Sequence, residues 1–128
     1  MQNPRKIYFI DNALIRRLGF IFSEDKGRFL ENLVFLELIR SGKEIYYFKG
    51  RGECDFLIRD GIKITGAIQV CYSLEDIETR ERELKGLKEA LETYKLTEGL
   101  ILTDDTEETF EREGKTIRIV PVWKWLID

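Results

Sequence analysis

The sequence contains no histidine, and its 128 residues include two cysteines, two prolines and one methionine. The absence of histidine excludes Ser-His-Asp and Cys-His catalysis, haem ligation and the His-based metalloprotease motif together. Two cysteines alone do not complete a structural zinc site. Cys54 and Cys71 stand on neighbouring predicted strands at even and odd positions, so they are expected on opposite sheet faces, which argues against a disulfide. No run approaches the roughly 18 consecutive apolar residues of a membrane span. The start, Met1 to Lys6, also lacks the apolar core of a signal peptide. A cytoplasmic protein without a membrane partner is expected. No Gly-x-x-x-x-Gly-Lys-Ser/Thr run occurs, so no ATP-binding loop is expected on this chain.

What is present is a 43% hydrophobic, 35% charged chain of net charge −3. That apolar content closes one core, so residues 1–128 are read as a single domain. Near-balanced charge means that any DNA contact must come from a local patch. With histidine gone, carboxylates are the residues left to carry chemistry.

Lys6 to Ile10 reads as a short strand and Ala13 to Leu18 as a helical turn. Ser23 is an N-cap for a helix over Arg28 to Arg40, which Ser41 and Gly42 stop. Strands follow at Glu44 to Phe48, Glu53 to Arg59 and Ile62 to Tyr72, the last two joined by a three-residue turn at Arg59, Asp60 and Gly61. Asp76 to Tyr94 has the apolar stripe of a second helix. Gly99 to Thr103 and Thr116 to Val120 read as strands around an acidic loop, and Val122 to Leu126 closes the chain. The order α-β-β-β-α-β-β predicts an α/β domain.

Glu31 is the informative residue of the first helix. Helical spacing surrounds it with Val34, Phe35, Leu38 and Ile39, while Glu37 and Arg40 fall on the far, solvated side. A carboxylate aimed at a core needs a cation, a metal or hydrogen-bond donors. Arg80 is a candidate partner, because it also falls inside the apolar stripe of its own helix. In the central strands the apolar residues Cys54, Phe56, Ile58, Ile64, Ile68 and Val70 are all even-numbered. If even pairs with even, Asp55, Gln69 and Cys71 share the other face, and a bulge at Thr65 to Ala67 brings Gln69 toward Asp55. Should the first helix cover that face, Glu31, Asp55 and Gln69 converge.

These residues also carry a resemblance. Gly27 to Leu38, Glu53 to Ile58, Ile68 to Tyr72 and Glu78 to Glu83 together resemble the domain of unknown function that follows the ATP-binding module in a family of archaeal and bacterial AAA-type ATPases. That domain is identified as a member of the PD-(D/E)XK superfamily. The resemblance implies a restriction-endonuclease-like core, a central mixed β-sheet flanked by helices, and an ATPase module normally on the same chain. By the superfamily pattern, Glu31 is the helix acid, Asp55 the strand acid, and Gln69 and Cys71 stand where an acid and a lysine belong. The implied metal ligands are Glu31, Asp55 and Gln69, binding Mg²⁺ or Mn²⁺ weakly. Lys63 and Arg80 are candidates for the missing cation, and Glu81 for a further anion. Cys71 as a nucleophile has no histidine to activate it, so a small strand filler is the simpler reading. Lys49 and Arg51 belong to a turn that suits either a phosphate grip or a solvated hairpin. Trp123 and Trp125, two apart as on one strand face, suit base stacking, the cap of a core edge or a subunit contact. The expected function is a nuclease-like accessory domain, DNA-associated or feebly nucleolytic. The alternative is a non-catalytic interaction or homodimerisation module.

Overall fold

A computed structural model describes residues 26–128. The strand predicted at 6–10, the turn at 13–18 and the cap at Ser23 lie outside the described residues. Helix α1 (Lys26–Arg40) ends as expected at Gly42, whose φ of 77° lets Lys43 N–H reach the Leu38 carbonyl and Gly42 N–H the Ile39 carbonyl. This paired closure satisfies the carbonyls that a helix end would otherwise orphan. β1 (Glu44–Lys49), β2 (Glu53–Asp60) and β3 (Lys63–Val70) form an antiparallel meander. Helix α2 (Ile77–Thr93) is capped by Asp76, whose carboxylate accepts from the backbone N–H and hydroxyl of Thr79. It returns the chain to β4 (Glu98–Thr103), which lies parallel to β3. β5 (Glu108–Arg112) and β6 (Lys115–Pro121) form a hairpin, and α3 (Val122–Ile127) closes the chain.

The strands make one six-stranded mixed sheet in the order β1-β2-β3-β4-β6-β5. One face packs under α2, with Leu57, Ala67, Ile101, Ile117 and Ile119 against Leu84, Leu87, Ala90 and Leu91. The other packs under α1 and α3, with Phe56, Ile68, Val70, Leu102 and Val120 against Leu30, Val34, Leu38, Val122 and Leu126. Helices therefore cover both faces of an α/β sheet. No helix among the described residues is long and apolar enough to cross a membrane.

Even does pair with even, as Phe56↔Ile68 and Ile58↔Gly66 show. The route differs from the expected three-residue turn. Asp60 pairs with Lys63, so the turn is shorter, and the register then slips by one residue at Thr65, between Gly66 and Ile64. The expected bulge is therefore present. Four other expectations are corrected. β5 occupies part of the predicted acidic loop; it is a charged edge strand, whose polar residues ward off further pairing and hide the apolar alternation. Trp123 and Trp125 lie in a helix and pack against the α1-side core, so they do not share a strand face. Cys54 and Cys71 are both free and both belong to the α2 side. The β1–β2 register slips by one residue between Tyr46↔Leu57 and Phe48↔Cys54, and this bulge breaks the alternation that would have put Cys54 on the face of Phe56.

The largest correction concerns α1. Its buried residues are Leu30, Val34, Glu37 and Leu38, and Glu31 is exposed. Glu37, expected in solvent, is 3% exposed and joined to Arg40 and Ser41. Phe35, Leu36 and Ile39 are instead exposed. A helix with apolar residues nearly all round has no single stripe for periodicity to find.

Candidate functional site

Gln69 is 1% exposed, and both ends of its amide are bonded. Its Oε1 accepts from Asp55 N–H at 2.9 Å, and its Nε2 donates to the carbonyls of Glu53 at 2.7 Å and Glu83 at 3.1 Å. The amide thus stitches two strands to α2. Helix and strand come this close because residue 86 is glycine: a Cβ there would stand 2.1 Å from the Glu53 carbonyl oxygen. The result gathers Glu53, Asp55 and Glu83 around one amide.

Asp55 accepts from Val70 N–H at 2.8 Å through Oδ2. Burial nevertheless lifts its pKa to about 6, with Glu31 and Glu53 adding to the rise and the Val70 bond opposing it. Glu83 rises to about 7, chiefly through burial and then through the charge of Asp55, while Arg82 pulls the other way. The Arg82 guanidinium is 4.0 Å from the Glu83 carboxylate. Tyr47 donates its hydroxyl to Glu53, and that bond raises its pKa to about 12. Burial first, then Glu83, raises the Cys71 thiol to about 11. It is therefore neutral near pH 7 and supplies neither a cation nor a nucleophilic thiolate.

α1 covers the opposite face of the sheet, so Glu31 does not stack on Asp55 and Gln69 as expected. Its charge still adds to the rise in the pKa of Asp55 and Glu83. Gln69 is not a free metal donor, since its oxygen serves Asp55 and its nitrogen faces two carbonyls. Lys63 pairs with Asp60 at the far end of β3, about 20 Å of strand from Gln69. Arg80 meets neither Glu31 nor Asp55; it makes two bonds to Glu108, at 3.0 and 3.1 Å, and lies over the Phe110 ring. Glu81 is likewise engaged, by Arg112. The backbone grip expected of the β1–β2 turn is filled from within: Arg51 and Gly52 donate their N–H groups to the Glu89 carboxylate at 3.0 and 2.8 Å. Lys49 and Arg51 instead line a groove together with Gly52, Glu53, Arg82 and Glu83.

A family model described as a domain of unknown function (DUF4143) matches residues 26–125. The chain belongs to this family. It is 40% identical over 131 residues to the uncharacterized protein MJ1544 of Methanocaldococcus jannaschii, a match that covers 94% of this chain and 29% of that relative. The chain therefore spans less than a third of the relative's length. No solved structure matches it.

In this DUF4143 domain, Glu83 is the site residue that the sequence reading missed. It precedes Gly86, Leu87 and Ala90 by three, four and seven positions, the spacing of the buried helix face, and that was the available signal. Among the described residues, no three metal-ligating side chains are grouped to close on an ion. Two desolvated carboxylates with raised pKa values suit an ion that keeps most of its waters, as Mg²⁺ does. Asp55 and Glu83 are the acids that would hold such an ion, and weakly.

Proposed function

We propose that this is a nuclease-like accessory domain of the PD-(D/E)XK kind, associated with nucleic acid and at most weakly nucleolytic. Its usual setting would be an ATPase on the same chain. The observation that supports this reading is that the Gln69 amide ties the backbones of Asp55 and Glu83 together, which brings two half-buried carboxylates within electrostatic reach of each other. One oxygen of Asp55 caps Val70 N–H, and a divalent ion would offset the desolvation that both acids carry. Asp55 and Glu83 would hold Mg²⁺ or Mn²⁺, which when bound would neutralise charge on a scissile phosphate. Gln69 sets the spacing of the two acids. Cys71, neutral and next to Glu83, cannot orient or deprotonate an attacking water as an ammonium or amine would. The chemistry is accordingly slow.

Cleavage of plasmid and branched DNA with Mg²⁺ or Mn²⁺ tests this reading. The parent is expected to nick DNA slowly, and Asp55→Ala and Glu83→Ala to lower the rate at least about tenfold. Equal rates in all three proteins would reject it.

A second reading, a non-catalytic docking module, is favoured by α1. Phe35, Leu36 and Ile39 are 43%, 60% and 49% exposed on one helix. The occupant of that face would be the rest of a longer chain, since most of the relative lies outside the matched region. Leu36→Glu with Ile39→Glu should then abolish association with that co-expressed remainder while leaving the fold intact. Loss of a homodimer instead would identify a second copy as the occupant.

A further inference from the structure

We infer that the groove between the tip of the β1–β2 turn and the first turns of α2 is a phosphodiester subsite, in which Arg82 supplies the cation that position 71 lacks. The inference rests on the nucleic-acid reading above and says where the backbone would lie. The groove has a volume of about 320 Å³ and is lined by Lys49, Arg51, Gly52, Glu53, Arg82 and Glu83. Its charged lining is therefore Lys49, Arg51 and Arg82 against Glu53 and Glu83, in a chain whose net charge is −3. A local cationic rim on an acidic protein is the patch that a polyanion would select.

Arg82 is placed for both tasks. It borders the groove beside Glu83, 4.0 Å from that carboxylate, and its charge acts on both Glu83 and Cys71. Its side chain is 72% exposed, and its one ion pair among the described residues is the long contact to Glu83. By contrast, Arg80 and Arg112 are held in two-bond carboxylate pairs on the same side of the sheet. A guanidinium does not give up its proton in proteins, so Arg82 acts by binding and orienting a phosphate, not as a base. The site is thus built to hold a phosphodiester better than to cleave it.

The Glu89 clasp fixes the other wall. By taking the N–H groups of Arg51 and Gly52, Glu89 holds the turn, with the groove-lining residues Lys49 and Arg51, against α2. Gly50 and Gly52 permit the approach: a Cβ at Gly50 would stand 2.2 Å from Glu89 Oε2, and one at Gly52 3.0 Å from the Gly86 Cα.

The experiment is fluorescence anisotropy of labelled 20-nucleotide DNA, single-stranded and duplex, titrated with the whole chain over a range of salt concentrations. Arg82→Ala, Lys49→Ala and Arg51→Ala should each weaken binding and lower the log-affinity against log-salt slope by about one unit. Glu83→Gln should tighten binding in metal-free buffer, and Arg118→Ala, an exposed arginine on β6, should change nothing. Thermal melts of each variant confirm folding. If the parent binds DNA and the groove variants bind equally well, the subsite is wrong while the nucleic-acid reading stands. If the parent binds neither DNA with or without Mg²⁺, the nucleic-acid reading fails and the subsite with it.

Discussion

Gln69 illustrates how one side chain can carry the identity of a site without its chemistry. Under the proposed nuclease-like reading an acid belongs there, yet the surroundings offer one donor, Asp55 N–H, and two acceptors, the carbonyls of Glu53 and Glu83. Only an amide satisfies all three. Gln69→Glu would restore the pattern and set a carboxylate against two carbonyl oxygens. A loss of about 3 kcal/mol at pH 7 is expected in denaturant melts. The introduced carboxyl would have a raised folded-state pKa, so the loss should shrink as pH falls and the carboxyl becomes a donor. Asp55 and Glu83 impose a related pH dependence on the parent. Both hold protons more tightly folded than unfolded, at about 6 and about 7 against ordinary values near 4. Between pH 4 and 7 the folded state binds more protons, so stability should fall as pH rises through that window and level off above it. Asp55→Asn or Glu83→Gln should flatten the fall and stabilise the protein at pH 8 by about 1 kcal/mol, allowing for solvent screening. Mg²⁺ at pH 8 should raise the melting temperature of the parent and not that of either variant.

At the scale of elements, the decisive contact is α2 on β2. A glycine inside a helix costs about 1 kcal/mol relative to alanine, so Gly86 needs a reason, and the Glu53 carbonyl against it is one. Gly86→Ala would force α2 off the strand, stretching the Gln69–Glu83 bond. The expected outcome is a destabilisation of about 2–3 kcal/mol, despite the better helix propensity, read from thermal melts. Elements with a clean period were legible: α2, β2, β3 and β4 stand where alternation or helical spacing put them, and the bulge at Thr65 was signalled by its glycine. Besides α3, whose tryptophans two apart suit a strand, two elements were not. α1 is apolar on most sides, so its inward face depends on what packs there, and β5 is too charged to alternate. The site followed the same division. Asp55 and Gln69 were legible because both sit on strands whose parity could be read, whereas Glu83 depended on which helix covers which face. Sequence spacing does not contain that fact.

Across the whole molecule, two apolar layers share one sheet. Strands β2, β3, β4 and β6 each send residues into both cores, so neither core can dissolve while the other keeps its strands. Unfolding is therefore expected to be a single transition. Both tryptophans lie in α3 and report on the α1 side, while far-ultraviolet dichroism reports on every element. Coincident denaturant curves from the two probes are predicted, and separated midpoints would mean that the layers melt independently.

The Glu89 clasp makes the turn at Arg51 and Gly52 a gauge of how firmly α2 is docked. Amide protons at an exposed hairpin tip ordinarily trade with solvent within moments, but these two are held by a carboxylate that sits on another element, 37 and 38 residues away in sequence. Their exchange can proceed only when helix and turn part. Hydrogen–deuterium exchange should find them protected in the parent and fast in Glu89→Ala, so that two backbone positions report each opening of the groove wall.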